Sequence, residues 1–268
     1  MKNKKKLLKK VAVITGAGGF LGYTHAYSIL EIGGSVILTD ISKSKMYQNF
    51  NSLKKIFPKE NIFMYLMDVT KEKNVIEVHK KILKKFNKVD ILINNASIDS
   101  KIVKSGKMTN SSSIEKIKIA QWNKEIEVGL TGYFICSRVF GSHMALKKGG
   151  IIINVASDLS IISPNQSIYK KNQKKPITYS VIKTGILGIT RYLSTYWAKS
   201  NVRVNTISPG PIYNNQNKKF VKKLSSLIPM GRMSERKELI GSIQYLSSDA
   251  SSYVTGHNLI VDGGRTII

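Results

Sequence analysis

Short apolar runs at residues 11–15, 35–39, 62–67, 89–93, 151–155, 202–207 and 258–261 alternate with segments of helical periodicity along the chain. This alternation restricts the fold more than any other feature. Runs such as Val11-Ala12-Val13-Ile14 and Ile151-Ile152-Ile153 lack polar alternation, as expected of strands covered on both faces. Helix-period segments lie at 20–32, 71–86, 121–147, 177–199 and 235–247. A strand, a covering helix and a second strand return the chain in one direction. The pattern therefore predicts a doubly wound α/β fold: a mostly parallel, seven-stranded sheet with helices on both faces.

Nothing in the 268 residues divides the chain: it has no internal repeat, linker or low-complexity tract, and 42% of it is apolar. It is read as a single domain over 1–268, with residues 1–10 as a basic tail. Met1-Lys2-Asn3-Lys4-Lys5-Lys6 before an apolar run imitates a secretory signal. However, Gly16, Gly18 and Gly19 interrupt that run, and no small-residue cleavage site follows cleanly. No apolar run is long enough to span a bilayer. The single cysteine, Cys136, excludes an internal disulfide, and His25, His79, His143 and His257 lack metal-ligand spacing, so no metal is expected. A cytoplasmic location fits these features.

The net charge of +27 favours polyanions in general. Yet the lysines are spread over predicted helices and loops (Lys54, Lys80, Lys147 and Lys222, for example), with no nucleic-acid-binding signature beside them. They are read as a solvated surface, with neither nucleic acid nor membrane as partner. Two polar stretches, 97–120 and 163–176, follow strands at their carboxyl ends, where open α/β sheets bind ligands. They are expected to wall a substrate site.

The first predicted strand runs into Thr15-Gly16-Ala17-Gly18-Gly19-Phe20-Leu21-Gly22, where a helix begins. A strand, a glycine turn and a helix present backbone N–H groups and a positive helix terminus to a pyrophosphate. Asp40 closes the second strand at the distance the Rossmann-type fingerprint requires. A carboxylate there accepts hydrogen bonds from ribose hydroxyls and repels a 2′-phosphate, so NAD is expected in preference to NADP.

Further motifs follow in order: Asp68-Val69 after the third strand, Asn94-Asn95-Ala96-Ser97 after the fourth and Ser157 after the fifth. Tyr179-Ser180-Val181-Ile182-Lys183 opens a helix, and Ser208-Pro209-Gly210-Pro211-Ile212 follows the sixth strand. With the glycine turn, this set resembles the short-chain dehydrogenase/reductase family, in its single-domain branch, over essentially the whole chain. The resemblance implies catalysis by Ser157, Tyr179 and Lys183. Tyr179 would exchange a proton with the substrate oxygen, Ser157 would hydrogen-bond that oxygen, and Lys183 would hold the nicotinamide ribose. One helical turn separates Tyr179 from Lys183, so they share a face, and an ammonium near a phenol lowers its pKa.

For the cofactor, the resemblance implies contacts from Gly16, Gly19, Phe20, Leu21 and Gly22 in the turn and from Asp40 beyond it. It places Asp68 and Val69 around the adenine, and Asn94 and Ala96 near the adenine ribose. Pro209 and Gly210 lead to Ile212, whose backbone would fix the carboxamide. A homo-oligomer, dimer or tetramer, is implied as well, with residues 256–264 near a tetramer interface.

Three departures from the family stand out. Gly16, Gly19 and Gly22 follow the spacing of the family's extended branch, with Phe20 where a glycine is usual. The family's catalytic Asn is replaced in Val128-Gly129-Leu130-Thr131-Gly132; Gly129 keeps the carbonyl that would carry a proton relay but loses the side-chain brace. The segment between Ser157 and Tyr179 is long, and its cations suit a phosphate, a carboxylate or a nucleotide. Several stretches, among them Pro176-Ile177-Thr178-Tyr179 and Ser252-Tyr253-Val254-Thr255-Gly256, are similar to oxidoreductases of flagellin-modification and nonulosonic-acid pathways. That similarity implies a secondary alcohol or ketone on a sugar or sugar-phosphate of a surface-glycan pathway. Two alternatives remain: a 3-oxoacyl-thioester reductase of lipid synthesis, and a catalytically weak dinucleotide-sensing regulatory protein.

Overall fold

The computed structural model describes residue 7 and residues 10–100, 102–108, 113–170 and 172–268. Strands β1 (Val11–Thr15), β2 (Ser35–Asp40), β3 (Ile62–Leu66), β4 (Ile91–Asn94), β5 (Gly150–Val155), β6 (Val202–Pro209) and β7 (Asn258–Val261) form one sheet. Their order is β3-β2-β1-β4-β5-β6-β7. Every pairing is parallel, so the sheet is wholly rather than mostly parallel. Among the described residues the α-helices are α1 (Phe20–Glu31), α2 (Lys43–Leu53), α3 (Glu72–Phe86), α4 (Ile119–Ile126), α5 (Gly132–Leu146), α6 (Ile177–Tyr196), α7 (Lys218–Ser225) and α8 (Ile240–Ser247).

Strand periodicity divides the core in two. Ala12 and Ile14 of β1 join Ile29 of α1, Phe50 of α2 and Ile243 of α8 on one face. Val11 and Val13 join Val78 of α3, Phe140 of α5 and Leu193 of α6 on the other. Each fully buried aliphatic side chain stabilises by about 1.5–3 kcal/mol relative to exposure, which is why these strands carry no polar alternation. In α3, Val75, Val78 and Ile82 form the buried stripe. Glu72 in its first turn and Lys84 and Lys85 in its last suit the helix dipole, and Asn87 ends it with φ 58°.

Three local expectations change. Leu7, within the expected basic tail, is buried, and its N–H donates to the carbonyl of Ile32 at 2.9 Å. Residues 1–6, 8 and 9 of that tail lie outside the described residues. The helix expected over 121–147 is instead α4, a π-helical turn at Glu127–Thr131, and α5. Helices α2 and α7 are additional; Met46, Phe50 and Leu53 are the only buried residues of α2, and Leu224 is the only one of α7. Among the described residues no helix is long and apolar enough to cross a membrane, and no cluster of His, Cys, Asp and Glu could hold a metal ion.

A polar row lies beneath the carboxyl edge. Asn94, Asn154 and Thr206 are in register on β4, β5 and β6. The Asn94 amide donates to Asn154 Oδ1 (2.9 Å), the Asn154 amide donates to Thr190 Oγ1 of α6 (2.9 Å), and the Thr190 and Thr206 hydroxyls are 2.7 Å apart. These buried bonds fix α6 against the sheet, and α6 carries Tyr179 and Lys183.

His25 is fully buried on α1, and burial lowers its imidazole to about 4, outweighing the opposing influence of Asn95. His79 is also lowered to about 4, by burial and then by His143. The unfolded chain, titrating near 6.5, takes up protons that the native state refuses between about 6.5 and 4. Stability should therefore fall as pH drops through that window, by at most about 1.4 kcal/mol per pH unit for each histidine. Thermal unfolding followed from about pH 7 to about pH 5 should show this decline, and His25→Gln should flatten it.

Candidate active site

At the carboxyl edge a cavity of about 660 Å³ reaches from the glycine turn to the start of α6. Here β1 and β4 are neighbours whose connections diverge, the topological position at which open α/β sheets take ligands. Gly16, Gly19, Phe20, Leu21, Asp40, Pro209, Gly210 and Ile212 wall one part; Ser157, Tyr179 and Lys183 wall another.

The glycine turn is built for close approach. Gly16 has φ +62°, and a Cβ there would lie 2.7 Å from the Cα of Ala96. A Cβ on Gly22 would lie 2.6 Å from the Cα of Ala17, so a side chain would push α1 off the turn. The N-cap of α1, Gly19, makes no side-chain cap, which leaves N–H groups of the first turn available beside the cavity. Asp40 accepts from the N–H groups of Gly18 (2.9 Å) and Ser42 (2.8 Å), which hold its carboxylate at the cavity wall. A dinucleotide fits this arrangement: the pyrophosphate against the bare turn, and an adenine-ribose hydroxyl on Asp40.

The other residues named for the cofactor, Asp68, Val69, Asn94 and Ala96, lie outside the cavity lining. The Asp68 carboxylate accepts from the N–H (3.0 Å) and hydroxyl (2.7 Å) of Thr70. Val69 and Ala96 are buried in the core. The Asn94 amide is used on Ser137 and Asn154, inside the fold, while the next residue, Asn95, reaches the cavity and donates to the carbonyls of Thr15 (3.1 Å) and Gly16 (3.0 Å). Successive side chains alternate across a strand, so the pair Asn94-Asn95 divides between core and site. Asn49 of α2 was not singled out from sequence, yet its amide ties the turn by donating to the carbonyls of Ala17 (2.7 Å) and Gly19 (3.2 Å).

In the other part, Ser157 is buried; its hydroxyl donates to Asp158 Oδ1 (2.8 Å) and accepts the N–H of Leu159 (3.2 Å). Asp158 is in turn paired with Arg265, both side chains buried. Glu125 of α4 accepts from the Thr178 hydroxyl, which anchors the first turn of α6 next to Tyr179. Lys183 Nζ donates to the carbonyl of Val155 (2.9 Å), which the Tyr133 hydroxyl also reaches (3.1 Å). Burial lowers the Lys183 ammonium to about 8.

The Tyr179 phenol does not follow the simple expectation of a lowered pKa. Burial pushes it well above its ordinary value; Asp99, Asp158 and Tyr133 add to this, and the nearby Ser157 hydroxyl opposes it. Lys183 Nζ is 5.7 Å from the centre of the Tyr179 ring.

Gly129 sits in the π-helical turn, buried against α6. A Cβ there would lie 2.9 Å from Cγ2 of Ile182. Ile182, beside Lys183, fills the space a side chain at 129 would need. Gly129→Asn should therefore destabilise the protein by about 1–3 kcal/mol through overpacking. Combining it with Ile182→Ser should recover most of that loss, a non-additivity of about 1 kcal/mol or more in a denaturant-unfolding cycle.

The chain is similar to known proteins over nearly its whole length. A family model described as enoyl-(acyl carrier protein) reductase matches residues 16–266. The chain is 33% identical to an NAD-dependent glycerol dehydrogenase of Listeria innocua, over 96% of this chain and 94% of that protein. It is 31% identical to a 3-oxoacyl-(acyl-carrier-protein) reductase of Thermotoga maritima, over 98% and 100%. Among solved structures, an NAD+-bound xylitol dehydrogenase superposes with a TM-score of 0.85 at 25% identity, covering 97% of this chain and 100% of that one.

Proposed function

Since the chain belongs to the short-chain dehydrogenase/reductase family, whose members act on CH–OH groups, we propose that it interconverts a secondary alcohol and a ketone with NAD(H), on a polyol, sugar or sugar-phosphate. The observation that carries this reading is the single cavity shared by Ser157, Tyr179 and Lys183 at one end and the glycine turn and Asp40 at the other. The nicotinamide cofactor, when bound, takes or gives the hydride. The chain's own residues hold the substrate oxygen and handle the proton. Ser157 Oγ, turned from Asp158 when substrate is bound, donates to that oxygen and stabilises the charge it develops, with Tyr179 Oη beside it. In alcohol oxidation Tyr179 Oη takes the hydroxyl proton; in ketone reduction it gives one back. Lys183, an ammonium below about pH 8, supports the ionised phenol.

Asp40 supports NAD as the preferred cofactor, although Lys45 walls the same corner of the cavity. Asp40→Asn would leave Lys45 as the charged group there. The ratio of kcat/KM for NADH over NADPH should then fall by about tenfold or more, equivalent to about 1.4 kcal/mol.

The glycerol and xylitol dehydrogenases among the similar proteins support a polyol-like substrate. A surface-glycan pathway is the narrower form of this reading, and a cytoplasmic location accompanies it. Phe134 of α5 and Tyr192 and Tyr196 of α6 are exposed, which supports a homo-oligomer joined through these helices. A second reading, reduction of a 3-oxoacyl thioester, draws on the Thermotoga maritima relative.

A screen of glycerol, xylitol and gluconate with NAD+, and of a 3-oxoacyl thioester with NADH, separates the two. Turnover should appear on the polyol or sugar-acid side. Tyr179→Phe should lose about 10²-fold or more of it while binding NADH as before, measured by cofactor fluorescence. Full activity in that variant would refute the mechanism.

A further inference from the structure

We propose that Lys175, in the loop preceding α6, is a positioning residue for the reacting centre: its ammonium rests on the face of the Tyr179 ring and favours the ionised phenol. The inference rests on the reading of Tyr179 as the proton-transfer group. Lys175 Nζ lies 3.7 Å from the centre of the Tyr179 ring, nearer than Lys183 at 5.7 Å.

The lysine is held in place from both ends. Its N–H donates to Gln166 Oε1 (3.0 Å), and Gln166 Nε2 donates to its carbonyl (3.1 Å). Its Nζ donates to Asp99 Oδ1 (2.8 Å) and to the carbonyl of Ser100 (2.9 Å). Only 10% of the Lys175 side chain is exposed, whereas Asp99 is 49% exposed. The cation is thus covered over the ring, while its counter-ion is half-exposed. Ordering this side chain before substrate arrives removes an entropic cost from the reaction step.

The charges around Tyr179 show why a second cation matters. Asp99 after β4 and Asp158 after β5 act with burial to keep the proton on the phenol. Asp158 is neutralised in part by Arg265, and Tyr133 of α5 contributes no cation. On α6 itself, Lys183 is tied to the Val155 carbonyl and has its ammonium lowered to about 8. A cation on a ring face attracts a neutral phenol weakly and a phenolate with a full unit of charge, so it selects the ionised form.

If Lys175 and Asp99 merely joined the two loops, removing either would have the same effect. If Lys175 acts on Tyr179, the two removals have opposite signs. Protein labelled with carbon-13 at tyrosine Cζ, with NAD+ added, is titrated by NMR, and the Tyr179 resonance is assigned by its loss in Tyr179→Phe. Lys175→Met should raise the Tyr179 midpoint by about one pH unit or more. Asp99→Asn, which leaves the Ser100 bond, should lower it, and Lys175→Arg should stay near the wild type. Thermal melting confirms that each variant is folded; should Lys175→Met fail to fold, Lys175→Gln, which also removes the charge, takes its place, because Asp99→Asn acts on Tyr179 directly as well. Midpoints that do not move, that move in the same direction, or a Tyr179 that stays protonated in every variant up to unfolding would overturn the proposal. The titration needs no turnover, so failure of every substrate with these shifts intact would count against the functional reading and leave this one standing.

Discussion

In a sheet whose strands all run the same way, both faces must be covered, because each crossover lays a helix across one of them. The remaining free edge is the one where the strands end. Here that constraint gathers Gly16 after β1, Asp40 at the end of β2, Asn95 after β4, Ser157 after β5 and Pro209 at the end of β6 around one cavity. The rest of the structure serves this edge. Two apolar layers, one with α1, α2 and α8 and the other with α3, α5 and α6, hold the strands in register. The Asn94–Asn154–Thr190 chain then locks α6 to the sheet just below it.

Burial opposes the charges that the candidate site brings together. A phenol enclosed between α6 and the loops resists ionisation, and an enclosed ammonium resists staying charged. The protein answers with hydrogen bonds and charges placed before the reaction. Ser157 donates locally, the Val155 carbonyl fixes Lys183, and Lys175 covers the tyrosine ring. The acids Asp99 and Asp158 are each given a basic partner, Lys175 and Arg265, so neither faces Tyr179 as a bare charge.

Gly129 and Ile182 illustrate a compensated exchange. The π-helical turn between α4 and α5 brings a residue with no side chain against α6, and Ile182 occupies the volume released. A Cβ at 129 would meet Ile182 Cγ2 at 2.9 Å, so the two positions are read together. Read singly, Gly129 is a lost brace; read with Ile182, it is one half of a fitted contact.

Periodicity and motif order carried most of the fold, because two-sided burial writes itself into strands such as Ile151-Ile152-Ile153 with no need of a partner's identity. The glycine turn and Asp40 were singled out because close backbone approach and ribose recognition demand particular residue types at set places, and Ser157, Tyr179 and Lys183 through the family resemblance; the fold brings them to one cavity. Tertiary structure alone decided which of Asn94 and Asn95 faces the site, since alternation gives the period but not the phase at a strand's end. It alone showed the interruption of the 121–147 helix and the pairing of Asp158 with Arg265, 107 residues away in sequence. It also brought Lys175 from one loop and Asp99 from another onto Tyr179. Contacts between distant loops depend on where the chain returns in space, and no local pattern of residues records that distance.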